Sequence, residues 1–475
     1  MKTSKVKIWR LPQVVLMAVM MLALGACVKP VVHNFPPADK NIQLDSTNLP
    51  IVWIDVDGDS IMRDKRIGGH MKIIWNGEGR MNYADTIAHP GQHIDYDGYI
   101  AVRHRGNSTY NDSPKKPYSF RTLNDELKYD GKKQKVSLLG MGKDNNWALL
   151  APYADRSMIR DLLTFELARP WMEYVPQGRH CELFVDGIYY GVYILAEVVS
   201  KGKHRLNLTK PRTEGDAITG DYLMEVDCND DVIYISKHHP VDTAGKPYLN
   251  QIIRFQYKSP DYDELKPVQV SYINSRIDAM EAALMAGDYT NYIDVQSFID
   301  YQLMMELCHN VDAYRLSGKF YKRRDSVDPR FKMVIWDTDL AYGNADYRQS
   351  WRTDTWMYQN NNIMYQEKEV HLVPFWWYVL NNDPNYTAQV KARWAQYRNG
   401  NMSNERIMAT LDSLAAVLTS HGAEQRNSRA WPRWGTEKKW PNHYAAIDYN
   451  DEISHIRQWL LERLAWMDRQ LDYQQ

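Results

Sequence analysis

Residues 305–343 constrain this chain more than any other stretch. They read Met305-Glu-Leu-Cys-His-Asn-Val-Asp312-Ala-Tyr-Arg-Leu-Ser-Gly-Lys319-Phe-Tyr-Lys-Arg-Arg, a short turn, then Phe331-Lys-Met-Val-Ile-Trp-Asp337-Thr-Asp339-Leu-Ala-Tyr-Gly343. An apolar helical run is closed by one acid, Asp312, and a strand-like run is closed by two, Asp337 and Asp339. The chain between them is long enough for a hairpin that returns to its start, so the three acids are expected at one rim. Carboxylates at the mouths of buried elements attract divalent metal, and a metal held by few carboxylates usually also holds phosphate oxygens.

The order of parts is that of kinases: a catalytic aspartate, a hairpin, then a metal-binding aspartate before a turn. The spacing is not the protein-kinase signature, because Asn310 and Val311 separate His309 from Asp312. A second stretch fits the same chemistry. Tyr99-Ile-Ala-Val102 alternates like a strand and runs into Arg103-His-Arg105-Gly106-Asn107-Ser108-Thr109; a second strand follows at Lys115-Lys116-Pro117-Tyr118-Ser-Phe120-Arg121. A Gly-Asn-Ser-Thr turn flanked by Arg105 and Lys116 offers N–H groups, hydroxyls and charge to an anion. An ordinary hairpin with solvated lysines is the alternative. The helix expected after Asp155, its N-cap, carries the stripe Met158, Leu162, Phe165 and stops before Pro170. Glu166 lies on the edge of that stripe, placed to pair with Lys116 or to face solvent.

At 475 residues the chain has material for a large core or two lobes. A net charge of −1 gives no overall field for nucleic acid or an anionic membrane. Sixteen Trp and 32 Tyr against nine Phe favour rings with polar handles, suited to core packing or to half-wet clefts. The N-terminus reads as a targeting segment: Lys2, Lys5, Lys7 and Arg10 precede an apolar run from Val14 to Ala26. That run ends Leu24-Gly25-Ala26-Cys27, which resembles a bacterial lipobox, with Cys27 the residue to be lipidated. Residues 28–48 then form a proline-containing tether. Cys181, Cys228 and Cys308 show no zinc spacing and read as small buried hydrophobes.

The folded chain is expected to begin at residue 49. Ile51–Ile54 reads as a strand, followed by Asp55-Val-Asp57-Gly58-Asp59. That is a turn rather than an EF-hand loop, because positions six and twelve are Ser60 and Arg66. His70–Trp75 is a second strand ending in the hairpin signal Asn76-Gly77. Cys181–Val185, Asp186-Gly187 and Tyr190–Glu197 form a further hairpin.

Taken together, the pieces resemble the CotH kinase family, atypical kinases related to the spore-coat protein CotH. The matching stretches are Arg105-Gly-Asn-Ser-Thr with Lys115-Lys-Pro-Tyr; Trp147 through Asp155-Arg-Ser-Met-Ile-Arg160; Val185-Asp-Gly-Ile-Tyr-Tyr-Gly-Val-Tyr-Ile-Leu-Ala-Glu197; Asn310-Val-Asp312; and Trp336-Asp-Thr-Asp-Leu-Ala-Tyr-Gly343. The tail Asp451–Asp468 resembles the family's closing helix, so the likeness runs over residues 49–470.

The resemblance implies an α+β, atypical protein-kinase-like two-lobed fold, with a β-rich part over 49–216 and a helical part over 217–475 that carries the acids. It implies ATP and Mg²⁺ as cofactors and phosphorylation of Ser or Thr hydroxyls on an envelope or secreted protein. Asp312 matches the catalytic acid and Asp337 the metal-binding acid, with Asp339 the second acid of that motif. Arg105 and Lys116 match the basic positions near phosphate; Gly106, Asn107, Ser108 and Glu166 are read with them as the nucleotide-binding side. One departure stands out: Gly318-Lys319 precede Phe320-Tyr321 where the family commonly shows His-Asn, so Lys319 replaces a metal ligand with a cation or meets phosphate directly. The runner-up is therefore a non-catalytic cell-envelope lipoprotein on the same scaffold. It would use the aromatic loop 344–368 to bind a glycan or protein partner. ATP is scarce outside the cytoplasm, where a lipid-anchored protein would lie, and this favours the runner-up. No nucleic-acid partner is expected.

Overall fold

The computed structural model describes residues 39, 41–125, 131–228, 233–435 and 437–474. Cys27, the targeting segment and most of the tether lie outside them. Among the described residues no helix is long and apolar enough to cross a membrane.

Alternating burial builds the first half of the fold. Seven strands, β1 (Ile51–Asp55), β2 (Ile67–Ile74), β3 (Ile94–His104), β4 (Tyr118–Thr122), β5 (Asn146–Leu150), β6 (Gly178–Val185) and β7 (Ile188–Glu197), form a closed barrel in the order β1-β2-β3-β4-β5-β7-β6. Parallel pairing of β6 with β1 closes it, which leaves no free edge for another chain to add to. Every second residue points inward, so Val52, Ile54, Ile73, Val102, Phe120, Trp147 and Leu195 share one core. The Asp186-Gly187 hairpin forms as read, with both residues at positive φ, 48° and 75°. Asn76-Gly77 is not the two-residue turn expected. β2 and β3 do pair, but a wide loop lies between them, closed by Asn76, whose Oδ1 accepts from His93 N at 2.7 Å and whose Nδ2 donates to Met81 O at 2.8 Å.

The second half is a mixed layer. Strands β8 (Tyr222–Val226), β9 (Ile233–Ile235), β10 (Arg254–Ser259), β11 (Gly318–Lys322) and β12 (Phe331–Val334) form an antiparallel sheet in the order β9-β10-β8-β11-β12. Its helices include α3 (Pro267–Ala286), α4 (Val295–Cys308), α5 (Phe375–Asn381), α6 (Pro384–Arg398), α7 (Asn404–Thr419), α8 (Ala423–Ala430) and α9 (Tyr449–Gln470). Two helices precede these in the chain: α1 (Ser108–Asp112), on the β3–β4 connection, and α2 (Arg160–Ala168). α2 packs with the second core, and its stripe Met158, Leu162, Phe165 is buried as read. It ends at Ala168, two residues before Pro170.

The fold is α+β, as expected; the closed seven-stranded barrel over 51–197 was not foreseen. Cys181 and Cys308 are free and fully buried. Cys228 departs from the reading as a core hydrophobe: it is half-buried and lines the cleft described next.

Candidate active site

A cleft of about 1140 Å³ runs between the barrel wall and the rim of the second sheet. Asp312, Lys319, Asp337 and Asp339 line it from one side, and Arg105, Gly106, Asn107 and Ser108 from the other. These residues come from four separate stretches of sequence.

Helix α4 delivers Asp312. It starts on Asp294, whose side chain accepts from Ser297 N at 3.0 Å, and runs buried to Cys308. His309 ends it in the left-handed conformation at φ 46°. His309 is a structural residue: its ring meets Ser350 O at 2.9 Å and Thr355 Oγ1 at 3.1 Å, and burial drops its pKa to about 3. Asn310 then links the two acidic loops. Its Oδ1 accepts from Asp312 N at 3.3 Å and its Nδ2 donates to Asp337 O at 2.9 Å. Arg315 holds the Asp312 carboxylate at 2.7 Å and Glu369 at 3.1 Å. Burial raises the Asp312 pKa, Arg315 opposes it, and Asp337 and Glu369 add to it.

The strand end of β12 delivers the other acids. Asp337 sits at φ 66° and accepts from Ser317 Oγ at 2.8 Å. Asp339 has a pKa raised well above the carboxylate range by burial, then by Asp337, Asp161, Asp155 and Asp312. Asp161 of α2 escaped the sequence reading, since an acid in a first helical turn reads as dipole compensation. It is buried, accepts from Thr338 N at 2.7 Å and Thr338 Oγ1 at 3.0 Å, and lines the cleft; burial and Asp337 lift its pKa to about 7. Below it Arg160 bridges Asp155 at 2.6 Å and Glu452 of α9 at 2.9 Å, and donates to Ala341 O at 2.9 Å. Asp155 does not cap α2 at its first residue as expected. It gathers Ser157 N and Arg160 N in the turn before the helix.

On the barrel side, Arg105 lies over Trp336 at 5.2 Å. Burial lowers its pKa, while Asp337, Asp161 and Glu225 pull it back up, so the arginine sits within the field of the acids. Gly106 takes φ 81°, which suits glycine. Residues 108–112 coil into α1 rather than an open turn, and Asn107 accepts from Arg63 at 3.4 Å.

Lys319 of β11 lies directly across from Glu225 of β8 and pairs with it, while Lys258 reaches the same carboxylate at 3.2 Å. Burial would raise the Glu225 pKa, but the two lysines overcome it and hold the carboxyl below its usual range.

Two expected residues stand apart from the cleft lining. The ammonium of Lys116 bonds Tyr110 O and lies 4.9 Å over the Tyr110 ring. Glu166 is the one exposed residue of α2 and pairs with Arg169 at 2.8 Å, so the Lys116–Glu166 pair does not form. In the aromatic loop, Asp346, Tyr347 and Arg348 line the cleft. Trp351 instead stacks on His443 and Trp356 packs on Trp466, each at 4.5 Å. Among the described residues no group of three or more His, Cys, Asp or Glu converges to hold a metal by itself.

The family model described as CotH kinase protein matches residues 102–467. The chain belongs to the CotH kinase protein family. The matched region starts inside β3 and ends in α9, so it takes in the three acids, Lys319 and the Arg105–Ser108 turn, while β1, β2 and the cleft-lining Arg63 and Arg66 precede it. No curated protein matches the chain.

Proposed function

We propose that the chain is an atypical kinase that transfers the γ-phosphate of ATP to Ser or Thr hydroxyls of an envelope or secreted protein. One observation carries this reading: Asp312, Asp337, Asp339, Arg105 and Lys319, from distant stretches of sequence, line a single cleft, and Asn310 ties the first two together. The barrel and the second sheet with its helices then play the two lobes of a kinase-like arrangement.

The acids fit a magnesium ion. Asp339 and Asp161 have raised proton affinities, burial being the first cause and neighbouring carboxylates the next, so a cation placed among them would offset the repulsion that otherwise favours their protonation. Magnesium commonly uses one or two carboxylates together with substrate phosphates, so the lack of a three-acid cage among the described residues is no obstacle. Asp337 and Asp339 would hold it, and when bound it would neutralise phosphate charge. The chain's own residues do the rest by positioning and electrostatics. Asp312, fixed by Arg315, orients the acceptor hydroxyl and receives its proton. Arg105, lying over Trp336, and Lys319, held by Glu225, face the phosphates; the Gly106–Ser108 backbone borders them. Lys116 and Glu166 are given no role.

The lipobox supports a location outside the cytoplasm, anchored to a bacterial membrane through Cys27. Cys27→Ser should release the protein from membranes or leave an uncleaved precursor, and unchanged partitioning and mass would remove that part. A second reading rests on Lys319: an ion pair with Glu225 occupies the place of an expected metal ligand, which suits a non-catalytic protein that binds a glycan or protein partner. Calorimetry of ATP with and without Mg²⁺ separates the two. Magnesium-dependent ATP binding supports the kinase; no ATP binding under any divalent metal supports the second reading.

A further inference from the structure

The outer wall of the barrel carries an arginine cluster that the kinase reading does not use. β3 and β4 pair with Arg103 opposite Ser119 and Ala101 opposite Arg121, while Val102 and Phe120 point into the barrel core. Alternation therefore puts Arg103 and Arg121 on the same outward face. Arg66 reaches onto that face, donating to Ala101 O at 3.1 Å, Ser119 O at 2.8 Å and Ser119 Oγ at 2.9 Å. All three line the cleft, as do Arg63 and Asn146. Asn146 stands opposite Arg121 on β5.

Among the described residues none of these three arginines has a carboxylate partner, and Nε of Arg103 and Oδ1 of Asn146 are buried without a hydrogen bond. Burial, then Arg121 and Arg103, drop the Arg66 pKa to about 9, with no acid among the causes. Arg105 differs, since Asp337, Asp161 and Glu225 all act on it. The cleft thus has an acid-compensated cation near Asp337 and a separate, uncompensated group of guanidiniums further along the barrel wall.

We propose that Arg66, Arg103 and Arg121 form an anion subsite that takes a phosphoryl group, distinct from the phosphates facing Arg105. A single carboxylate would neutralise only one of the three charges, whereas a phosphate monoester carries nearly two and accepts from planar guanidinium forks. The phosphoryl group has two possible sources: a phosphate of the nucleotide tail other than those at Arg105, or a phosphate already on the acceptor chain. The subsite requires only phosphate binding and does not depend on transfer taking place.

The test is calorimetry on the full chain with three probes: inorganic tripolyphosphate, Mg-ATP, and a phosphoserine peptide beside its unphosphorylated twin. Wild type, Arg121→Gln and Arg103→Gln/Arg121→Gln are compared, with thermal melts as a check on folding. Wild type should bind tripolyphosphate, and the double variant should bind it roughly tenfold more weakly, the worth of one charge-assisted hydrogen bond. A similar loss for the phosphoserine peptide with Mg-ATP unchanged identifies an acceptor-borne phosphate; a loss for Mg-ATP identifies the nucleotide tail. Arg121→Gln carries the comparison if the double variant melts low, because the Arg121 side chain makes no hydrogen bond or ion pair among the described residues. Equal affinity of wild type and variants for all three probes, or no binding of any probe by wild type, overturns the subsite. Asp337→Asn separates the two proposals. If it abolishes Mg-ATP binding and keeps tripolyphosphate binding, the subsite stands on its own whatever becomes of the kinase.

Discussion

Glu452→Gln should destabilise the fold and loosen the acidic loop. Arg160 and Glu452 are about 1% and 3% exposed and meet at 2.9 Å, so solvent screening is small. Burial alone would lower the Arg160 pKa; Asp155 and Glu452 more than reverse this and leave it above the ordinary guanidinium value. The carboxylates therefore outweigh the desolvation of the charge they hold. Removing one partner of a buried pair costs about 3–5 kcal/mol, and the low end applies here because Asp155 still holds Arg160 at 2.6 Å. Arg160→Met should cost more, above about 4 kcal/mol, since it strands two carboxylates and frees Ala341 O. The double variant should cost less than the two single costs together, with a coupling of about 2 kcal/mol. Urea unfolding followed by tryptophan fluorescence measures all three. Costs that add to within about 0.5 kcal/mol would refute the view that this triad is one electrostatic unit.

Other expectations follow from the same geometry. Lys116→Ala should leave ATP affinity within about twofold, because its ammonium is spent on Tyr110, whereas Arg105→Ala should weaken it roughly tenfold or more; equal effects in a binding titration would contradict the assigned sides of the β3–β4 hairpin. Lys115 is fully buried, and burial drops its pKa to about 7 while the unfolded chain keeps the proton to about 10.4. A cation depressed in the fold weakens it at low pH, so stability should rise as pH goes from about 7 to 10. Lys115→Met should flatten that rise, and urea midpoints at pH 6.5 and 9.5 that change as in wild type would count against it.

The acids at the rim were legible because a helix and a strand that each end in carboxylate are local patterns, and one hairpin joins them. The Asp186-Gly187 turn was legible for the same reason, and the closing helix α9 through the family resemblance alone. The partners of these residues were not. Glu225 meets Lys319 through a register between strands 94 positions apart. Asp161 and Glu452 sit in helices whose stripes announce packing alone. Lys115 and Lys116 are neighbours with opposite surroundings, one sealed behind β7 against Val192 O, the other on Tyr110. Which of them would face phosphate depended on α1, whose short coil the sequence presented as a turn. Closure of the barrel rests on the parallel β1–β6 pair, a contact between segments with nothing in common but alternation.

Phosphoryl transfer with Asp312 as the hydroxyl-orienting acid and Asp337 as the metal-holding one is tested by transfer of label from γ-labelled ATP to the protein itself or to envelope extract. Wild type should transfer. Asp312→Asn should keep Mg-ATP binding and lose transfer by roughly 10²–10⁴, the usual share of general acid–base catalysis, while Asp337→Asn should lose both. Transfer that survives both substitutions would contradict the assigned site, and wild type that neither transfers nor binds ATP with any divalent metal would contradict the kinase itself.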